Sequence, residues 1–154
     1  MGAGDSETLG EALAAIASAD SGEAAGFVAA LACAQAAALL ELTATLASRR
    51  IDSAGMAEVA AEAGRLRGEA LGLAALERTA WADSRAQGRP ELAVEPARRI
   101  LALASGISRN AATVADAGDW PFTPDARAAG VLADAAGAIA GLVLAANGEQ
   151  ADGA

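Results

Sequence analysis

Residues 26–47, which read GFVAALACAQAAALLELTATLA, form the stretch that most constrains the fold. It is long enough for about six turns of α-helix, and its side chains are almost all Ala and Leu. Gln35, Glu41 and a few hydroxyl groups are the polar exceptions. A helix that is apolar on nearly every side belongs in the middle of a bundle or in a bilayer, because a surface helix keeps a polar face. We therefore expect the rest of the chain to pack around this helix.

The composition favours an all-α protein. The 154 residues are 54% hydrophobic but only 3% aromatic, so small side chains supply the apolar surface. This gives little reason for strands, whose enriched residues are β-branched and aromatic. The length suits one domain with its own core. We predict a single helical domain over residues 1–154, an up-and-down bundle of about five helices with short flexible ends.

Charge and missing residue types exclude several functions. The formal charge of -9 argues against a nucleic-acid partner, which needs a clustered positive surface. All 11 basic residues are Arg, and His, Lys and Tyr are absent. Their absence removes the Ser/His/Asp triad, the Cys/His dyad, the Schiff-base lysine and every imidazole metal site. Carboxylates are expected to carry any acid/base chemistry, and no metal site is predicted.

The single cysteine and the acidic N-terminus predict a cytoplasmic protein. Cys33 has no partner for an intrachain disulfide, and its place in the apolar helix predicts a buried, unreactive thiol. A signal peptide would carry positive charge where this chain is acidic. Residues 26–47 and 128–146 approach the length of a membrane span, but polar residues interrupt both windows. We therefore predict no membrane partner.

Periodicity and helix-end signals place the first three helices. The first is predicted over residues 7–18, with Ser6 as N-cap and an apolar side formed by Leu9, Leu13 and Ile16. The central helix is expected to end near two arginines, Arg49 and Arg50. The third helix is predicted from residue 52 or 53 to about residue 85.

Two proline-containing signals place the last two helices. The fourth is expected to begin at residues 94–96, with Pro96 in its first turn. Thr123 is expected to cap the fifth helix, which has Pro124 and Asp125 in its first turn and ends near residue 146. The irregular stretch 118–122, which contains Trp120, is expected to fold over the end of the bundle as a lid.

A carboxylate interrupts the apolar seam of the third helix. The seam has alternating spacings of three and four residues, typical of a helix packed nearly parallel to its neighbours, and consists of Met56, Val59, Ala63, Leu66, Ala70, Leu73, Glu77 and Ala80. Burial should raise the pKa of Glu77 toward the range useful for proton transfer. Two alternatives remain: Glu77 is solvated or paired with an Arg at the helix end, or it sets register or oligomeric pairing.

The other candidate site residues also have purely structural explanations. Trp81 and Trp120 are expected to anchor the core or the lid, or else to stack on an anionic heteroaromatic ligand beside an arginine. Asp125 suits the dipole at the start of its helix. Arg67 and Arg78 could hold carboxylates, although a solvated surface position is the first expectation for each.

Several segments resemble one enzyme family. They are FVAAL at 27–31, Leu66-Arg67, ERTAW at 77–81, and the stretches 94–104 and 125–143. They are similar to segments of the formiminotetrahydrofolate cyclodeaminase/methenyltetrahydrofolate cyclohydrolase family. The resemblance implies a helical bundle, usually a homodimer, that binds a reduced folate and closes a formimino group onto a ring nitrogen with loss of ammonia.

The resemblance also implies roles for individual residues. Glu77 aligns with the acidic catalytic residue of the family, Gly26 with its ligand-binding loop, and Asp125 with the acid of its Ser-Asp motif. The chain departs from the pattern where Ala24-Ala25-Gly26-Phe27 replaces Gly-Gly-Gly-Ser, and where Thr45 replaces an asparagine. These departures indicate a changed substrate or lost chemistry.

Three hypotheses follow. The first is a cyclodeaminase-like enzyme without a cofactor, acting on a tetrahydrofolate derivative, with Glu77 catalytic and with a substrate-binding set of Gly26, Phe27, Trp81, Trp120 and Asp125. The second is a repurposed relative that cyclises a more apolar small molecule. The third is a non-catalytic helical dimer or partner module. We expect a homodimer in each case, because the long apolar helices present more apolar surface than one thin chain covers.

Overall fold

Five α-helices make up the part of the chain that the computed structural model describes, which is residues 8–18, 25–50, 54–89, 91–118 and 121–147. They are α1 (Leu9–Ile16), α2 (Ala25–Arg50), α3 (Ala54–Gln87), α4 (Glu91–Asp116) and α5 (Thr123–Ala146). These residues include no strand. The prediction of an all-α bundle of about five helices is confirmed. The predicted flexible ends lie mostly outside the described residues.

The four long helices run alternately up and down. Gly64 of α3 lies against Glu41 of α2, and Gly137 of α5 lies against Ala104 of α4, which makes each pair antiparallel. Helix α2 packs against α3, α4 and α5, and it is the central helix, as its apolar sequence predicts. Small side chains dominate its buried surface, so neighbouring helices can approach closely. The largest fully buried side chains in the core include Leu40, Leu73, Ile100 and Ile107.

The first helix differs from its prediction at its start and on its surface. Thr8, not Ser6, is the N-cap: its hydroxyl accepts a hydrogen bond from the Glu11 amide at 3.3 Å, and the Glu11 carboxylate accepts one from the Thr8 amide at 2.7 Å. The hydrogen bonds that the Thr8 amide and hydroxyl donate to the Glu11 carboxylate lower the pKa of Glu11. Leu9 and Leu13 are exposed, whereas Ala12 is buried. Ile16, the third residue of the predicted apolar side, packs against the core, so this side is only partly covered by the described chain.

Helix α4 begins three residues before the predicted boundary. Pro96 is buried inside the helix, not in its first turn. Proline lacks the amide donor that would form the main-chain bond at this position. The earlier start places the carboxylate of Glu91 in the first turn, where it suits the helix dipole.

Helix α5 begins close to the predicted boundary but without the predicted cap. Thr123 is its first helical residue, preceded by Phe122, and the Thr123 hydroxyl donates to the Gly118 carbonyl oxygen at 3.1 Å. Phe122 is buried in the core, and the Arg50 guanidinium lies 6.0 Å from its ring centroid. The predicted lid residue Trp120 lies outside the described residues.

Candidate functional site

The carboxylate of Glu77 lies against the first turn of α2. The α3 seam buries Leu73 and Ala80 on either side of Glu77. A Cβ atom on Gly26 would overlap the carboxyl group of Glu77, so the missing side chain of this glycine makes room for it. Glu77 Oε1 is shielded from solvent and accepts no hydrogen bond from the described residues. Burial raises the pKa of Glu77 above its ordinary value, as the seam position predicts.

The residues that follow Gly26 and Glu77 in the chain, Phe27 of α2 and Arg78 of α3, form a cation–π contact. The guanidinium carbon of Arg78 lies 4.7 Å from the centroid of the Phe27 ring, which is itself buried. This contact fixes an aromatic face and a positive charge next to the buried carboxylate.

A cleft of about 660 Å³ opens between α1, α2 and α3. Its walls are mostly apolar and include Leu9, Ala12, Phe27, Leu31, Ala34, Leu71 and Ala74. Gln35, Arg67 and Arg78 add polar groups, and Arg67 Nε donates to Glu41 Oε2 at 2.9 Å. Glu77 does not line this cleft, but its neighbour Arg78 does. The site therefore has two adjoining parts, the enclosed carboxylate and the open cleft.

Asp125 lies far from Glu77, and Trp120 lies outside the residues that the structure describes. Asp125 is exposed in the first turn of α5, which starts beside the C-terminal end of α2, because Arg50 contacts Phe122 there. Gly26 and Arg50 are 24 positions apart, about 36 Å along the helix axis. One chain therefore does not bring Asp125 to Glu77. A shared role for Asp125 and Trp120 stays a prediction.

Gly26, Phe27 and Trp81 are at the same end of the bundle as Glu77. Gly26 touches the carboxylate, Phe27 lines the cleft, and Trp81 follows Glu77 by about one turn of α3. The side chain of Trp81 is outside the described part of the chain. Arg67, expected on the solvated surface or holding a carboxylate, is partly exposed and pairs with Glu41, and both it and Arg78 line the cleft with Leu71. Their spacing of four and seven residues puts them on one face of α3, which is the signal that could have found them.

The described residues contain neither a cluster of metal-binding side chains nor a reactive thiol. No group of three or more Cys, Asp and Glu side chains there could hold a metal ion. Cys33 is buried, and its thiol donates to the Ile100 carbonyl oxygen at 3.8 Å. Burial raises the pKa of Cys33 to about 11, so the reactive thiolate is scarce near neutral pH.

We expect the Cys33 thiol of the folded protein to react with 5,5′-dithiobis(2-nitrobenzoate) at pH 8 at least about a hundred-fold more slowly than in urea, because burial limits both ionisation and access. Absorbance of the released thiol anion measures this rate, with free cysteine as the reference in each solution. Equal rates with and without urea would contradict the buried placement.

The fold and the site define a class: an all-α bundle with one enclosed carboxylate beside a cleft large enough for a small molecule. Among solved structures, the chain is similar to formiminotetrahydrofolate cyclodeaminase from Thermotoga maritima, with a TM-score of 0.86 over 96% of this chain and 81% of that chain. Sequence identity is 17%, and the similarity shows a shared fold. The resemblance seen in the sequence is thus confirmed at the level of the fold. No family model and no curated protein matches the sequence.

Proposed function

We propose that the protein is a cytoplasmic enzyme of the cyclodeaminase type, acting on a small, folate-like heterocycle with Glu77 as general acid and base. The enclosed Oε1 of Glu77, which accepts no hydrogen bond from the described residues, is the observation that carries the proposal. Burial raises the pKa of Glu77 above its ordinary value, in the direction that favours a group acting as both general acid and general base. The fold shared with a formiminotetrahydrofolate cyclodeaminase supports this class of reaction.

One carboxylate can serve both proton transfers of such a ring closure. A substrate nitrogen bonds to the carbon of the protonated formimino group, and Glu77 removes the proton from that nitrogen. Glu77 then returns the proton to the amino nitrogen, the bond from the carbon to this nitrogen breaks, and ammonia leaves. Atoms and charge balance without a cofactor, so the chemistry requires only a correctly placed acid and base.

The two parts of the site suggest how the substrate binds. The reacting group would lie against Glu77 beside the bare backbone of Gly26, while the rest of the substrate occupies the cleft beyond Phe27 and Arg78. Arg78, which lies over the Phe27 ring and lines the cleft, would face an anionic group of the substrate. The predicted contributions of Trp81 and Trp120 belong to this proposal, whereas Asp125 lies at the opposite end of α2 and has no part in this site of a single chain.

Turnover of 5-formiminotetrahydrofolate tests the proposal. Under anaerobic conditions we expect the protein to accelerate the appearance of the methenyl absorbance over a protein-free control. The Glu77→Gln variant should lose roughly 10²- to 10⁴-fold in rate, which is the usual contribution of general acid–base catalysis. The matched control is Glu58→Gln, an exposed glutamate on the same helix, which should keep the rate. No acceleration by the unmodified protein would refute the folate reaction.

The apolar walls of the cleft favour a second candidate, a relative that binds or cyclises a more apolar small molecule. In the turnover experiment this candidate predicts neither product nor folate binding. Binding of an apolar heterocycle without binding of folate would then support it over the folate enzyme. If the protein binds neither ligand, the remaining hypothesis is the non-catalytic helical partner module.

A further inference from the structure

The cleft between α1, α2 and α3 is elongated. Residues of α2 between positions 27 and 38 and residues of α3 between positions 67 and 78 line it at identical spacings, which are those of one helix face. Each stretch covers about 16 Å along its helix axis. Because α2 and α3 are antiparallel, Phe27 and Arg78 lie at one end of the cleft, and Ala38 and Arg67 lie at the other. The cleft therefore suits a long, narrow ligand.

The middle of the cleft is apolar and aliphatic. Leu31 and Ala34 of α2 line it together with Leu71 and Ala74 of α3, and Leu9 of α1 forms an outer wall. Leu9 is 62% exposed and Leu71 is 48% exposed, so apolar surface here is left in contact with water. An alkyl chain in the cleft would remove this surface from water, which is favourable.

An alkyl chain fits the middle of the cleft better than a ring system does. Phe27 is the sole aromatic side chain among the described residues that line the cleft. Its ring is only 3% exposed, and the guanidinium of Arg78 lies over it. A ring system in the cleft would therefore meet aliphatic side chains and no open aromatic face on which to stack.

The two ends of the cleft differ in charge. At one end Arg78 supplies a guanidinium, which binds a carboxylate through the N–H groups in its own plane. At the other end Arg67 Nε donates to Glu41 Oε2 at 2.9 Å. The carboxylate of Glu41 would repel a second anion at that end. The charges thus match a ligand that has one anionic group, located beside Arg78.

We propose that the cleft binds a linear monocarboxylate, with its carboxylate at Arg78 and its alkyl chain directed along α2 and α3 toward Arg67 and Glu41. A zigzag chain of C–C bonds of roughly 1.5 Å advances about 1.3 Å per carbon, so about 12 carbons span the cleft. This inference goes beyond the reaction proposed for Glu77 and does not depend on it, because it requires no acid or base.

Isothermal titration calorimetry of the full chain with three ligands of equal length tests the charge pattern. Decanoate has one carboxylate, decanedioate has two, and 1-decanol has none. At pH 8 we expect decanoate to bind roughly ten-fold more tightly than 1-decanol, because hydrogen bonds to charged groups are the stronger ones. It should also bind roughly ten-fold more tightly than decanedioate, whose second carboxylate would enter the apolar middle of the cleft or approach Glu41.

Arg78→Gln tests where the carboxylate lies. The substitution should raise the dissociation constant of decanoate by roughly ten-fold and leave that of 1-decanol unchanged. The matched control is Arg65→Gln, which removes the same charge from an exposed position of α3 outside the cleft and should change neither. Equal weakening of both ligands by Arg78→Gln would overturn the assignment of this end. Circular dichroism checks that each variant is folded.

Chain length tests the direction of the ligand. From hexanoate to dodecanoate, the affinity should rise about two-fold or more with each added carbon, and it should level off for longer acids, whose last carbons leave the cleft. Ala38 is exposed at the end far from Arg78. Ala38→Trp should abolish the gain of the longer acids while octanoate binds as before. The matched control is Ala138→Trp, at an exposed position of α5, which should change neither.

Four results would overturn the proposal. The first is no binding of decanoate, and the second is decanedioate or 1-decanol binding as tightly as decanoate. The third is loss of octanoate binding in folded Ala38→Trp, which would place the carboxylate at the wrong end. The fourth is a gain with chain length that Ala38→Trp does not limit, which would assign binding to apolar faces elsewhere. None of them bears on turnover at Glu77, so the two proposals fail separately.

Discussion

Gly26→Ala is expected to lower the free energy of unfolding by about 1 kcal/mol, the low end of the cost of forcing extra volume into a packed site, because the end of a flexible side chain can move. The new Cβ atom would overlap the carboxyl group of Glu77, which must then move from its place against α2. Alanine is otherwise the better helix former, so propensity alone would favour this substitution. The loss therefore measures the contact between this glycine and the carboxylate.

A double-mutant cycle isolates that contact. In a background of Glu77→Ala, which removes the carboxyl group, Gly26→Ala should cost little or even stabilise the protein. Urea unfolding of the four proteins gives the coupling free energy. Gly72→Ala is the matched control, because nothing lies near the position of its Cβ atom and it is in the interior of α3. It should stabilise by about 0.5 to 1 kcal/mol. Additive effects at Gly26 and Glu77 would show that the two residues are not in contact.

Periodicity predicted the burial of Glu77 because a seam position depends only on local spacing. The same spacing that buries Leu73 and Ala80 brings Glu77 to the α2–α3 interface, whatever the rest of the fold does. The contact between Glu77 and Gly26 could not be predicted from spacing along one helix, because it depends on the register between the antiparallel helices α2 and α3. The family resemblance supplied both residues for the site but gave no distance between them.

The position of Asp125 could have been predicted from the topology alone. In an up-and-down bundle the start of α5 lies at the same end as the finish of α2, far from Gly26. A site that holds both Asp125 and Glu77 would therefore require more than one chain. The family motif does not show this, because a motif groups residues by type and order and carries no information about which end of the bundle holds them.

The errors at α1 have two physical causes. Thr8 and Ser6 are both suitable caps, but only Thr8 has a glutamate three residues later, which is the capping-box pattern. The exposure of Leu9 and Leu13 was not predictable, because an amphipathic pattern identifies an apolar side without identifying what covers it. The cleft went unpredicted for the same reason, since its walls combine α1 with one face of α3.

Glu77→Gln is expected to stabilise the folded protein at pH 7 by on the order of 1 kcal/mol, because glutamine has nearly the same shape but lacks the charge that burial penalises. Burial raises the pKa of Glu77 in the folded state above its ordinary value of 4.5. The folded protein thus binds more protons than the unfolded chain between these two pKa values. The contribution of Glu77 to stability is greatest below pH 4.5 and falls as the pH rises through the folded pKa.

The difference between the two proteins should therefore depend on pH. Glutamine carries no charge, so the stability advantage of Glu77→Gln should be small at pH 4 and grow until the pH exceeds the folded pKa. Urea unfolding of both proteins from pH 4 to pH 8 measures it, and the contributions of the other titrating groups cancel in the difference. Exposed Glu58 is again the control, and Glu58→Gln should give a small difference at every pH.

Stability and turnover together distinguish a catalytic carboxylate from a structural one. A catalytic Glu77 costs the fold free energy at neutral pH, so Glu77→Gln should gain stability while losing activity. If Glu77→Gln instead destabilises the protein at pH 7, the ionised carboxylate is interacting favourably with the first turn of α2, whose dipole attracts negative charge. Its burial beside Gly26 would then fix the α2–α3 register, and the case for acid–base catalysis would lose its physical basis.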